Sequence, residues 1–374
     1  MANRSSQKIP HIYFENLDAL RFLAAFSVFL FHLFADLKPI VPALETNNVT
    51  NKFMVIFDKG SLGVNFFFVL SGFLITYLLL HERKYKGHFS LKKFLIRRTL
   101  RIWPLYFIVV LIGFVIFPLL IHGYETSHDP WMYVAFLANF DEIKNGMADP
   151  YNFLTMPWSV AVEEQFYLFW GVTLFFFLTV KGFRLWHLLL FLYIASFIFR
   201  WQHREDEYVL YYHTLAVCQD ILAGAFIGWS LFEGRVWLEK LKKLNLLWVI
   251  VIYLIGFTLC VAKNKIFAGD LVVLERFVLG AFFAFIILDQ VRGEHSFFKF
   301  GRVKAFNYLG RISYGLYMYH LIVMYFIYDW IRYSDMNGTV LIVMYFLISF
   351  AGIVSVASLS YYAIERPFLR MKPK

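Results

Sequence analysis

Charge is scarce in this chain. Only 17% of its 374 residues are charged, against about 25% in a soluble globular protein. That shortage excludes a fold solvated on all sides. Cysteine is nearly missing as well. Cys218 and Cys260 stand in separate apolar segments, which excludes a disulfide framework and a cysteine metal cluster. No cleavable leader is expected, because the first apolar run already has full spanning length. What is present is apolar: 60% of the residues are hydrophobic and 21% aromatic. The composition is that of an all-α, polytopic membrane protein.

A window of about 20 residues finds about ten candidate helices. They lie near 17–37, 62–80, 102–121, 160–179, 186–201, 211–232, 246–262, 271–289, 312–331 and 339–362. A further apolar stretch, 131–140, is too short to span. The whole of 1–374 reads as a single transmembrane domain. The net charge of +10 is carried mainly by alternate loops. Arg83, Lys84, Lys86, Lys92, Lys93, Arg97, Arg98 and Arg101 crowd the loop between the second and third helices, and Arg366, Arg370, Lys372 and Lys374 close the chain. The longest connection, 122–159, is acidic, with Glu125, Asp129, Asp141, Glu142 and Asp149. The positive-inside rule therefore places both termini in the cytoplasm. Nucleic acid is a poor partner for such a distribution.

Polar residues within the apolar runs carry the functional information, since each is costly in hydrocarbon. Arg21 and His32 are eleven residues apart, almost three helical turns, so they share a face roughly 16 Å apart along the axis. Asp18 and Asp36 lie on about the same stripe. The plain alternative is that Arg21 snorkels to the interface while His32 bonds a neighbouring helix. In the second helix, Asn65 and Ser71 stand among phenylalanines, and Gly60, Gly63 and Gly72 suit tight helix packing. Arg97, Arg98 and Arg101 cluster at helical spacing before Pro104. They offer forked donors for phosphate, or a plain cytoplasmic anchor. Glu163 and Glu164 open the fourth helix, about 100° apart, so at most one faces the interior. Trp158 and Tyr167 there suit an interface. His320 lies near the middle of the ninth helix.

Six segments taken together resemble the acyltransferase 3 family of integral membrane acyltransferases: Arg21–x10–His32, GVNFFFVLSGF, RRTLRIWPLYF, WSVAVEEQFYLFW, SYGLYMYH and IERPF. Their order and spacing span residues 16–370. The resemblance implies a stand-alone membrane O-acyltransferase, chiefly an O-acetyltransferase, in the bacterial inner (plasma) membrane. It would move an acyl group from cytoplasmic acyl-CoA, with acetyl-CoA the expected co-substrate, to a hydroxyl of a cell-envelope glycan, lipid-linked sugar or small molecule. No metal and no permanently bound cofactor are expected. On this reading His32 is the general base, with Glu163 or Asp36 assisting it. Arg21, Arg97, Arg98 and Arg101 bind the donor. Asn65, Ser71, Trp158, Ser159 and His320 are supporting or oxyanion candidates.

Two other classes bury arginine, histidine and glutamate. A proton-coupled transporter or flippase would show repeat symmetry between its halves, and none is visible. A membrane sensor without catalysis would not need both Arg21 and His32. Polar motifs crowd the first four helices, whereas helices five to eight read as a nearly featureless scaffold.

Overall fold

The computed structural model describes residues 12–41, 56–145, 153–180, 182, 184–334 and 337–373. Asp149 and Lys374, which entered the reading of loop charge, lie outside them. The described residues are helical, without strands. Ten long helices run α1 (Glu15–Leu37), α2 (Leu62–Lys86), α3 (Leu91–Leu111), α4 (Pro157–Phe177), α5 (Leu185–Gln202), α6 (Thr214–Glu233), α7 (Leu246–Ile266), α8 (Glu275–Arg292), α9 (Ser313–Ile331) and α10 (Gly338–Ser360). Among the described residues, nine helical stretches are long and apolar enough to cross a membrane. The expected span near 312–331 is the exception. Its helix forms, but five tyrosines, His320 and Asp329 lower its hydropathy, and it buries most of its amino-terminal half inside the bundle.

One expectation needs correction. The third helix begins at Leu91, not near 102, with the Ser90 side chain accepting from the Lys93 amide at 3.3 Å. Arg97, Arg98 and Arg101 are therefore inside the helix, as is Pro104. The apolar stretch at 131–140 is split between two short helices, Pro130–Val134 and Ala138–Asn145. Their lid on the bundle is pinned by a buried cluster. His128 Nδ1 lies 2.5 Å from Asp141 Oδ2, and Tyr133 donates to Glu142 at 3.3 Å.

The core is built around α2. Its most extensive packing is on α6, and it also meets α1, α8 and α4. The α2–α6 approach is so close that a Cβ on Gly72 would sit 1.9 Å from the Ile221 carbonyl oxygen. One on Gly224 would sit 1.8 Å from that of Val69. Small residues let backbones touch where lipid supplies no hydrophobic drive. Gly224 and Gly228 form the Gly-x3-Gly pattern of such contacts, a signal the sequence reading passed over.

Candidate active site

Four cavities follow one another along α1 and the faces opposite it. The first is lined by Arg21, Arg98, Arg101, Arg311 and Glu365. It shares Arg21, Leu74, Arg98, Arg101 and Tyr314 with a central cavity that adds Ser71, Ser159, Glu163 and Tyr167. The central cavity meets a third one at Val64 and Tyr317. That third cavity holds His32 inside a collar of Phe31, Trp158, Tyr208, Tyr211 and Tyr212. Beyond Glu207 and Tyr211 it adjoins an open polar groove with Arg204, Lys263, Asn264 and Glu275. The Arg21 and His32 ends of α1 thus belong to one chain of cavities, as their shared stripe requires.

At the arginine end, like charges converge. Arg21 pairs with Asp18. Among the described residues neither Arg98 nor Arg101 forms an ion pair, and Arg98 stacks over Phe94 and Tyr167 at 5.8 and 5.5 Å. Its Nε is buried without a hydrogen-bond partner. Arg97 stands apart: it is held by Glu82 at 2.8 Å and does not line the cavities. Near the chain's end Lys372 feels the same cluster. Burial, and then the charges of Arg101, Arg98 and Arg97, push its ammonium down to about 7. The π turn Tyr361–Glu365 brings Tyr361 and Glu365 to the first cavity.

In the centre, Glu163 accepts from Ser71 and from Tyr167, both at 2.6 Å. It therefore belongs to the arginine-lined cavity, not to the wall around His32. Glu164 points elsewhere and accepts from Trp103 at 3.0 Å. Adjacent helical residues are bound to diverge in this way. Where the central cavity meets that of His32, the hydroxyls of Ser159 and Tyr317 are 2.7 Å apart. Tyr317 escaped the sequence reading as an individual residue, although its position in SYGLYMYH was a signal.

His32 has a different neighbour from those expected. Its ring lies 5.1 Å, centroid to centroid, from that of His320. Asp36 accepts from Tyr345 at 2.5 Å. The structure thus brings His32, Trp158 and His320 together, and Ser71, Glu163, Arg21, Arg98 and Arg101 together. It does not bring Asn65 to either group. Asn65 donates to Asp220 at 3.0 Å, and Asp220 also pairs with Arg276 between α6 and α8. Arg200, buried at the end of α5, donates to the carbonyls of Leu210, Ala216, Val272 and Val273. Helices α5 to α8 are therefore not featureless. Arg200, Asp220 and Arg276 were legible as charges within apolar runs, and went unread because no motif accompanied them.

Comparison with known proteins identifies relatives of this chain. An acyltransferase-domain family model, that of acyltransferase 3, matches residues 14–362. A relative from Staphylococcus aureus strain COL bearing the name "Putative O-acetyltransferase" is 29% identical over 375 residues, covering 95% of this chain and 57% of the relative. The O-acetyltransferase OatA of S. aureus strain NCTC 8325 is 26% identical over 382 residues, with the same coverage. The chain thus spans little more than half the length of the curated relatives it matches. No solved structure matches it. With its six motifs distributed along one series of cavities and the family model covering nearly all of it, this chain belongs to the acyltransferase 3 family.

Proposed function

We propose that the protein is a multi-pass O-acyltransferase, chiefly an O-acetyltransferase, that passes an acyl group through the bacterial inner membrane from acyl-CoA to a hydroxyl of a cell-envelope glycan or related acceptor. The observation that carries this reading is the series of cavities joining an arginine cluster to a histidine. In this orientation the Arg21 end and both termini face the cytoplasm, in agreement with loop charge. All ten long helices cross the membrane.

The donor's phosphates would dock at Arg98, Arg101 and Arg21, whose guanidiniums suit phosphate in a forked geometry. Glu163 serves this end by keeping the unbalanced positive charge bearable. The pantetheine arm would thread the central cavity past Tyr317, which places the thioester beside His32. The roughly 16 Å between Arg21 and His32 matches an arm of that kind. The acceptor enters from the polar groove and passes the aromatic collar, where Trp158 and the tyrosines provide faces for a sugar ring.

The reaction needs one base and one oxyanion site. His32 removes the proton of the acceptor hydroxyl as its oxygen attacks the thioester carbonyl carbon. The carbonyl oxygen gathers charge and is met by the Ser159 and Tyr317 hydroxyls. The C–S bond then breaks, an ester is formed, and the CoA thiolate leaves and takes the proton from His32. Direct transfer needs both substrates held in line, which suits adjoining cavities better than an acyl-enzyme. Purified protein with radiolabelled acetyl-CoA and a cell-envelope fraction tests the reading. Label transfer should appear with wild type and vanish with His32→Ala. Equal transfer by both proteins sinks the role of His32.

A further inference from the structure

His320 has a defined tautomer. Its Nδ1 lies 2.6 Å from the Tyr317 carbonyl oxygen. A carbonyl only accepts, so Nδ1 carries the proton. In the neutral ring Nε2 is then a bare lone pair. That atom is buried and has no hydrogen-bond partner, and the residue is 1% exposed. A buried acceptor left empty is costly, so its position asks for a donor. The neighbouring ring is His32, at 5.1 Å between centroids with a 44° tilt. Two imidazoles joined edge to edge by one N–H···N bond sit about 5 Å apart, since the bond spans about 3 Å and each ring adds a little over 1 Å.

His320 does not line the cavity that holds His32; it stands behind that ring. As a neutral ring with its proton committed to Tyr317, it offers no donor to an oxyanion. Asp36 and Glu163 have hydrogen-bond partners of their own.

We propose that His320 is the positioning partner of His32: on a small rotation of the His32 ring the bare Nε2, which has no partner in this structure, accepts one His32 N–H, leaving the other His32 nitrogen unprotonated toward the acceptor hydroxyl. This rests on the reading of His32 as base. A carboxylate partner would leave a permanent charge among apolar helices. A second imidazole keeps the pair neutral until the hydroxyl proton arrives, and then accepts the hydrogen bond of the imidazolium.

The test uses the full chain in detergent, with [14C]acetyl-CoA and the cell-envelope acceptor fraction, comparing His320→Asn, His320→Gln and His32→Ala. Asn places an amide where Nδ1 was and offers nothing at Nε2; Gln restores an acceptor oxygen near Nε2. His320→Asn should lose about 10–100-fold in kcat, the range seen when the orienting partner of a metal-bound histidine is removed, with the donor KM unchanged. His320→Gln should recover at least a third of the lost activity on a logarithmic scale. Full kcat in His320→Asn overturns the proposal, and so does equal loss in Asn and Gln variants, with or without a lowered melting temperature. An active His32→Ala instead overturns the base assignment itself. A dead His32→Ala beside a fully active His320→Asn removes the partner alone.

Discussion

Both halves of this bundle bury charge, and they do so in opposite ways. Around α5, α6 and α8 opposite charges meet: Arg276 is paired with Asp220, Asn65 adds a hydrogen bond, and Arg200 is spent on four backbone carbonyls. Around α1, α3, α4 and α9, like charges gather. Arg98 and Arg101 face a cavity with Arg21, and the His320 Nε2 is left empty beside His32. Pairing opposite charges is how a fold removes the cost of burial. Collecting like charges, or leaving a lone pair bare, raises that cost. Such an arrangement persists where a ligand or a reaction repays it.

The largest expected effects separate activity in one region from stability in the other. His32→Ala should lower acyl transfer at least about 100-fold while leaving the melting temperature in detergent within a few degrees. Arg276→Ala should do the reverse, stripping Asp220 of its partner at a cost of about 3–5 kcal/mol, read as a lowered unfolding midpoint. Arg276 also lines the polar groove, so a stable Arg276→Ala protein without transfer activity would mean that it handles the acceptor there rather than serving the fold alone. Smaller effects sharpen the contrast. Arg98→Ala and Arg101→Ala should each raise the apparent KM for the donor about tenfold or more, whereas Arg97→Ala, whose side chain is held by Glu82, should change it little. Donor dependence measured with all three variants decides the matter; equal effects would mean that Arg97 serves the donor as Arg98 and Arg101 do. Asn65→Ala should cost about 1 kcal/mol of stability with kcat unchanged, and a selective loss of kcat would return Asn65 to the oxyanion site.

The smallest effect concerns the 130–145 lid. Burial raises the Glu142 carboxyl from 4.5 to about 7, opposed by His128 and Tyr133. A carboxyl with a raised value binds its proton more tightly in the folded lid, so its contribution is complete below pH 4.5. It is lost as pH rises through 7. Amide exchange in this segment, corrected for intrinsic rate, should therefore be slower at pH 6 than at pH 8. Glu142→Gln should remove the difference; a lid protected equally at both pH values contradicts the assignment.

Much of the bundle was legible because hydrocarbon imposes a length and forbids unpaired backbone polar groups. Nine helical stretches match apolar runs read from the chain. The α3 start was missed because the arginines at 97–101 look like loop in a hydropathy window, although the Ser90 cap marks a helix start. The candidate site was legible only as residue types and stripes. Arg21 and His32 needed only helical periodicity to be put on one face. Which residue partners which was not legible: Glu163 and His32 are both polar groups in apolar runs, and nothing in their spacing says that one joins Ser71 and Tyr167 while the other meets His320.

The order of apolar runs, the placement of charge in alternate loops and the Arg21–His32 stripe are decided locally, by the 3.6-residue period and the cost of moving charge into lipid. The close α2–α6 contact, the separation of Arg97 from Arg98 and Arg101, the junction of cavities at Tyr317 and the bare Nε2 of His320 were decided by tertiary structure alone. Each depends on which helix faces are brought together, and residues far apart in the chain meet only after packing has chosen their neighbours.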